Sequence, residues 1–264
     1  MKEMEKMGFF GKLFEKKVCS VCGGEIGLLG NRKLEDGNLC KNCAAQLSPF
    51  FSDRRRSTVD QIREQLAYRE ANRQAVAAFR VTRSLGEGMK VLLDEDQGKF
   101  MVTSARDLVQ ENPDVLDFSQ VTGCLLDVDE STDEEKREDK DGNDVSYNPP
   151  RYHYSYDFRM VIRVNHPYFD EISFRLNNSS VRTTNGTAVP AFRKPDPRRD
   201  PEYRQYEAMG EEIRRALTQA RQEAREAVRA AAAPKAAVIC PTCGASTVPD
   251  SAGCCEYCGV SLNG

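Results

Sequence analysis

Eight of the ten cysteines in this 264-residue chain fall in four Cys-x-x-Cys pairs. Cys19 and Cys22 are followed, after seventeen residues, by Cys40 and Cys43; Cys240 and Cys243 are followed, after eleven, by Cys255 and Cys258. Two such pairs bring four thiolates to one point, the donor set of a tetrahedral structural zinc ion. A small residue after the second cysteine lets backbone N–H groups turn toward the sulfurs and offset their charge. Gly23, Gly244 and Gly259 hold that position, and Ala44 departs from it. Segments this short bury too little surface to fold unaided, so the metal supplies their stability. The reading is two Zn2+ per chain, on Cys19, Cys22, Cys40 and Cys43 and on Cys240, Cys243, Cys255 and Cys258. A redox role for a lone Cys-x-x-Cys needs a βαβ setting that is absent, and ferredoxin-type clusters space their cysteines more closely. Cys254 adjoins Cys255 and is left outside the set, while Cys124, in an apolar run, reads as core.

Little else in the sequence suggests catalysis. The chain has two histidines, His153 and His166, no phosphate-binding glycine motif and no nucleophile–base arrangement. Four-thiolate sites leave a zinc ion no open coordination position. The expectation is therefore no enzyme and no small-molecule substrate.

Composition bounds the rest. Only 39% of residues are hydrophobic and 30% are charged, with a formal net charge of −3. That favours several small modules over one large core and gives no overall pull toward nucleic acid. No stretch approaches the ~20 apolar residues of a membrane span, and the start lacks a signal peptide's apolar region. Paired cysteines without a disulfide context suit a reducing compartment. The protein is expected in the cytoplasm, with peripheral attachment at the inner face of the membrane as the second location.

The elements that must position these residues follow from periodicity. Residues 1–17 form a basic and apolar lead-in. Its Phe9, Phe10, Leu13 and Phe14 are candidates for membrane or partner contact: packing over the zinc module or a neighbouring domain is the preferred reading, and a bilayer surface, which the flanking lysines suit, the second. Residues 18–56 form the N-terminal zinc module. Residues 57–79 read as a helical connector, with Ser57 and Asp60 as a capping pair. The 80–192 region alternates with period two, clearest in "YHYSYDFRMVIRV", where Tyr154, Tyr156, Phe158, Met160 and Ile162 share one face. It reads as an antiparallel β domain. Within it, residues 127–144 carry ten acidic residues against three basic ones, which predicts a solvated, mobile loop. A calcium loop there would lack its terminal glutamate. Asp200 and Pro201 start a long helix, 200–232, whose apolar face thins to alanine beyond about Arg221. The C-terminal zinc ribbon occupies 236–264. The fold class is α+β.

Two resemblances add to this reading. "KVCSVCGGEIGLLGNRKLEDGNLCKNC", continued by "LSPFFSDRR", resembles an uncharacterised bacterial N-terminal zinc-binding domain family, a domain of unknown function. It implies Cys19, Cys22, Cys40 and Cys43 as ligands and no activity. "CPTCGASTVPDSAGCCEYCGVSL" is similar to the small zinc ribbon appended to many bacterial proteins. Antiparallel strands followed by one amphipathic helix resemble, at the level of fold, the order of a pleckstrin-homology-like or GRAM-like domain.

The function expected is a non-catalytic zinc-binding interaction or scaffold protein with protein partners. One alternative is a peripheral membrane adaptor using the Phe/Lys lead-in and a pleckstrin-homology-like domain. Another is a nucleic-acid-binding zinc-ribbon protein, drawing on the eleven Lys and Arg against seven acids up to Arg56. The acidic stretch and the cation-poor ribbon count against nucleic acid.

Overall fold

The computed structural model describes residues 17–232, 237–250 and 252–262. The lead-in residues Phe9, Phe10, Leu13 and Phe14 lie outside them. The chain divides into two compact units that part between Arg221 and Gln222. It mixes helix and sheet, with a four-cysteine cluster toward each end, a sheet-rich centre and a long C-terminal helix.

The first unit opens with two small hairpins, β1 (Lys17–Val18) with β2 (Glu25–Ile26) and β3 (Arg32–Lys33) with β4 (Asn38–Leu39). A single turn and a half, α1 (Lys41–Ala45), follows. Helix α2 (Val59–Ala78) then runs unbroken. Its cap sits one residue later than the sequence suggests: Thr58 and Gln61 bond reciprocally to each other's backbone N–H, so the glutamine, with a longer reach than Asp60, closes the box. α2 is no free connector. Ile62 is fully buried among Cys19, Ile26, Leu34, Leu39, Cys43 and Leu47, with Val59, Leu66 and Phe51 against them.

Strands β5 (Arg83–Leu85), β6 (Lys90–Asp94), β7 (Lys99–Thr103) and, after the short α3 (Leu108–Glu111), β8 (Leu116–Asp117) form an antiparallel meander. A second sheet is built on β9 (Val121–Glu138) and β10 (Asp144–Val164). β9 pairs along one edge of β10, and β11 (Glu171–Arg175), β12 (Val181–Arg182) and β13 (Val189–Pro190) pair in turn along the other. The alternating face of β10 is buried from Tyr154 to Val164.

The stretch 127–144 is not a loop. Its residues continue the β9–β10 ladder to Glu138 and resume at Asp144; only 139–143 turn the chain. Backbone pairing does not require apolar side chains, and here cations on the facing strand, and Lys194 beyond it, answer the charge. Arg151 meets Glu135, Arg159 meets Asp129, and Lys194 meets Glu130 at 2.6 Å. Arg137 and Arg151 also flank the ring of Tyr147. In the turn, Asp139 accepts backbone N–H bonds from Asp141 and Asn143, which hold its carboxyl below the usual range.

Helix α4 (Pro201–Ala232) starts on Asp200, whose carboxylate accepts from the N–H groups of Glu202 and Tyr203. Tyr203 stands edge-on to Tyr156 and Phe158, with ring centroids 5.0 and 4.9 Å apart, and Ile213 and Leu217 are fully buried. At Gly210 helix and sheet come close: a Cβ there would lie 2.5 Å from Leu126. In the second unit, β14 (Val238–Ile239) pairs with β15 (Ser246–Thr247). Among the described residues no helix is long and apolar enough to cross a membrane.

Candidate metal centres

Three of the four Cys-x-x-Cys pairs share one backbone shape. Gly23, Gly244 and Gly259 all adopt φ near +72°, a left-handed conformation that glycine enters without penalty. Each donates its N–H to the carbonyl of the first cysteine: Gly23 to Cys19 at 2.9 Å, Gly244 to Cys240 at 2.9 Å, Gly259 to Cys255 at 2.8 Å. The fourth pair departs for a structural reason. Cys40 is the N-cap of α1, its sulfur accepts from the Cys43 N–H at 3.4 Å, and Ala44 continues a helix that glycine would weaken.

These turns gather the cysteines into two groups, Cys19, Cys22, Cys40 and Cys43, and Cys240, Cys243, Cys255 and Cys258. Within each the four sulfurs lie inside 4.8 Å of one another, a donor set that could hold a metal ion. Sulfurs bonded tetrahedrally at about 2.3 Å stand roughly 3.8 Å apart. The closest pairs here are Cys19–Cys43 at 3.9 Å, Cys22–Cys40 at 3.8 Å, Cys243–Cys255 at 3.7 Å and Cys240–Cys258 at 3.5 Å. A disulfide requires about 2.0 Å. The spacing fits an ion held by four sulfurs.

The electrostatics agree. Burial works against the Cys19 thiolate, but N–H groups of Cys22, Cys40 and Val21 outweigh it and bring the pKa down to about 6. Burial and the neighbouring sulfurs push Cys43 up. In the second group, N–H groups of Cys243 and Thr242 lower Cys240 to about 6. The Val260 N–H favours the Cys258 thiolate, yet burial and the other three cysteines raise it to about 12. One thiol in each group ionises readily and another resists through burial and the sulfurs bonded to it; a dication would favour the thiolate form of all four.

Supporting contacts differ between the two centres. At the first, α2 closes the site: the Val59 N–H donates to Asp36, and Arg63 donates to the Ser20 carbonyl at 2.9 Å. At the second, Asp250 accepts from the N–H groups of Ala252 and Cys254. Cys254 lies outside the four-sulfur group, its thiol toward the Ala252 carbonyl. Cys124 is partly buried on β9 opposite Ile162, and burial raises its thiol to about 12.

A second constellation behind the first centre was not legible in the sequence. Arg69 of α2 meets Asp114 at 2.7 Å with both side chains almost wholly buried. Arg69 also donates to the carbonyls of Gln46 and Asn112, and Ser48 donates to Asp114 at 2.7 Å. Asn72 bonds Asn112 and the Pro113 carbonyl, with Asn112 in the left-handed region at φ 50°. The chain just past Cys43 is thereby tied through α2 to the segment entering β8. His166 of the β10–β11 bend stacks on Phe169 at 4.1 Å and meets Tyr68 of α2, while Phe50 packs on Phe169.

Residues 17–65 match one sequence family, a domain of unknown function (DUF4428). No curated protein matches the chain. No solved structure matches it either.

Proposed function

We propose that this chain is a non-catalytic docking protein whose two four-cysteine groups each hold a structural zinc ion. The observation that carries the reading is the gathering of four sulfurs in each group within 4.8 Å of one another, with 3.5–3.9 Å between the sulfurs in hydrogen-bond contact. Four thiolates fill the coordination shell of zinc and leave no position for substrate or water. When bound, the ion supplies folding free energy and charge compensation. The chain's own residues supply the turns, the N–H donors and the α2 lid.

The histidines support a role without catalysis. His153 bonds the Gly186 carbonyl through Nδ1, and His166 is taken up in aromatic stacking. The succession of a four-stranded meander, a sheet built on two long strands and a packed helix also supports a pleckstrin-homology-like reading of the centre, a fold that presents loops to partners.

Elemental analysis of purified protein tests the proposal. Two zinc ions per chain are expected, with loss of one on Cys255→Ser and retention of the other. Iron, or less than two zinc in the wild type, overturns it.

A further inference from the structure

The ligand set does not use the segment joining β2 to β3, residues 27–31, which lies inside the family match. Gly30 donates its N–H to the Gly27 carbonyl at 2.8 Å, closing a tight turn. The turn projects Leu28 and Leu29 with 87% and 83% of their surfaces in contact with water. Its base is fixed: Ile26 is buried beside Cys19, Asn31 bonds Asn38 across the second hairpin, and Arg32 donates to the Leu29 carbonyl. The leucines also line one groove with Cys40, a member of the first four-cysteine group.

Immediately beyond the tip, Arg32 and Lys33 of β3 line a cleft of about 810 Å3 with Arg54 and Arg55, where Glu35 is the single acid. Arg54 is held in place by the Lys33 carbonyl at 3.0 Å. Among the described residues, no carboxylate pairs with any of the four cations. Burial and then the charges of Arg32 and Arg55 disfavour the Arg54 cation, the mark of clustered charge without a counter-ion. Over residues 17–56 there are seven Lys and Arg against four Asp and Glu.

We propose that this tip and cleft form a docking surface for an anionic lipid bilayer: Leu28 and Leu29 enter the boundary between headgroups and acyl chains, and Arg32, Lys33, Arg54 and Arg55 meet the phosphates. This rests on the zinc-bound reading above, because the metal centre holds the base of the tip. Two adjoining leucines fall well short of the ~800 Å2 per partner of a stable protein interface. They suit a bilayer, where apolar side chains insert beneath an electrostatic ring. The sequence contains no tryptophan, so a single one placed at the tip reports its surroundings without background.

The test uses full-length protein and phosphatidylcholine vesicles with and without phosphatidylserine. Leu28→Trp is expected to show water-exposed emission alone and a blue shift with the mixed vesicles. In cosedimentation, Leu28→Asp/Leu29→Asp is expected to weaken binding roughly tenfold or more. Lys33→Ala/Arg55→Ala is expected to weaken it roughly thirtyfold and flatten its salt dependence. Zinc content should stay at two per chain in all three variants. A blue-shifted emission without lipid, whether from residues 1–16 covering the tip or from self-association, overturns the proposal. So does wild-type binding no stronger with phosphatidylserine, or unchanged binding by the tip variant. Each of these failures with two zinc ions retained leaves the metal reading intact; zinc-free wild-type protein refutes that reading separately.

Discussion

Asp114→Ala is the most searching perturbation of the first unit. Asp114 has no exposed side-chain surface and Arg69 only 8%, and they meet at 2.7 Å. Removing the carboxylate leaves a guanidinium buried without its counter-charge and Ser48 Oγ without its acceptor. Breaking a buried pair from one side costs about 3–5 kcal/mol, a large part of the ~5–15 kcal/mol that holds a typical domain. The remaining bonds from Arg69 to the Gln46 and Asn112 carbonyls place the loss at the joint between the four-cysteine module and the β8 segment. Urea unfolding should be followed by far-ultraviolet circular dichroism and by release of zinc to a chromophoric chelator. The expected result is a midpoint lowered in both signals together, with release of one of the two zinc ions tracking loss of the sheets. Arg69→Met should be similarly damaging, because it strands the carboxylate. The double variant Arg69→Met/Asp114→Ala should be no worse than either single change, since neither charge is then buried alone. A loss below ~1 kcal/mol in Asp114→Ala, or strictly additive single effects, would refute the account of α2 as the bridge between module and body.

Three further changes probe separate points. Gly23→Ala meets no atom within 4 Å but must adopt φ +72°; about 1–2 kcal/mol of strain should loosen one zinc roughly five- to thirtyfold in a chelator competition, and undiminished retention would refute the shared turn geometry. Gly210→Ala places a methyl 2.5, 2.8 and 3.0 Å from Leu126 carbons; overpacking of about 1–3 kcal/mol should outweigh the helix gain of about 1 kcal/mol, so the melting temperature falls, and Leu126→Ala in the same chain restores it. Burial holds the His166 imidazole below its ordinary 6.5, with Asp114 opposing in part. The unfolded chain then takes up a proton that the folded one resists, so stability is complete above the unfolded value and declines as pH falls below it. His166→Phe, which keeps the stack on Phe169, should flatten that acid-side decline in a pH series of melting temperatures; an unchanged slope would remove His166 from the account.

How much of this was legible in the sequence depends on whether the determining interactions are local. Three of the four Cys-x-x-Cys turns are set within five residues by a glycine and the fourth by the helix that Cys40 caps, so spacing alone pointed to the eight sulfurs that the fold gathers. The buried face of β10 and the Asp200 start of α4 were readable for the same reason: period and cap are properties of a short window. The stretch 127–144 misled because its composition is that of a solvated loop. Its pairing depends on Tyr147, Arg151, Arg159 and Lys194, which lie from three to fifty residues beyond it and offer charge and rings where the rule looks for apolar side chains.

The same distinction explains what the sequence concealed about the first centre. Arg69 and Asp114 are forty-five positions apart, and each looks like an ordinary surface charge in its own window. Only the fold shows that α2 serves two masters: Ile62 on one turn closes the core around Cys19 and Cys43, and Arg69 two turns later locks Asp114. A helix that closes the core beside the four cysteines and also carries the buried counter-charge of the segment entering β8 cannot treat the cysteine group as a detachable bead. A metal ion held by the first group would therefore stabilise more than its own loops: whatever favours the folded cysteine module also favours the position of α2, and through Arg69 the segment entering β8.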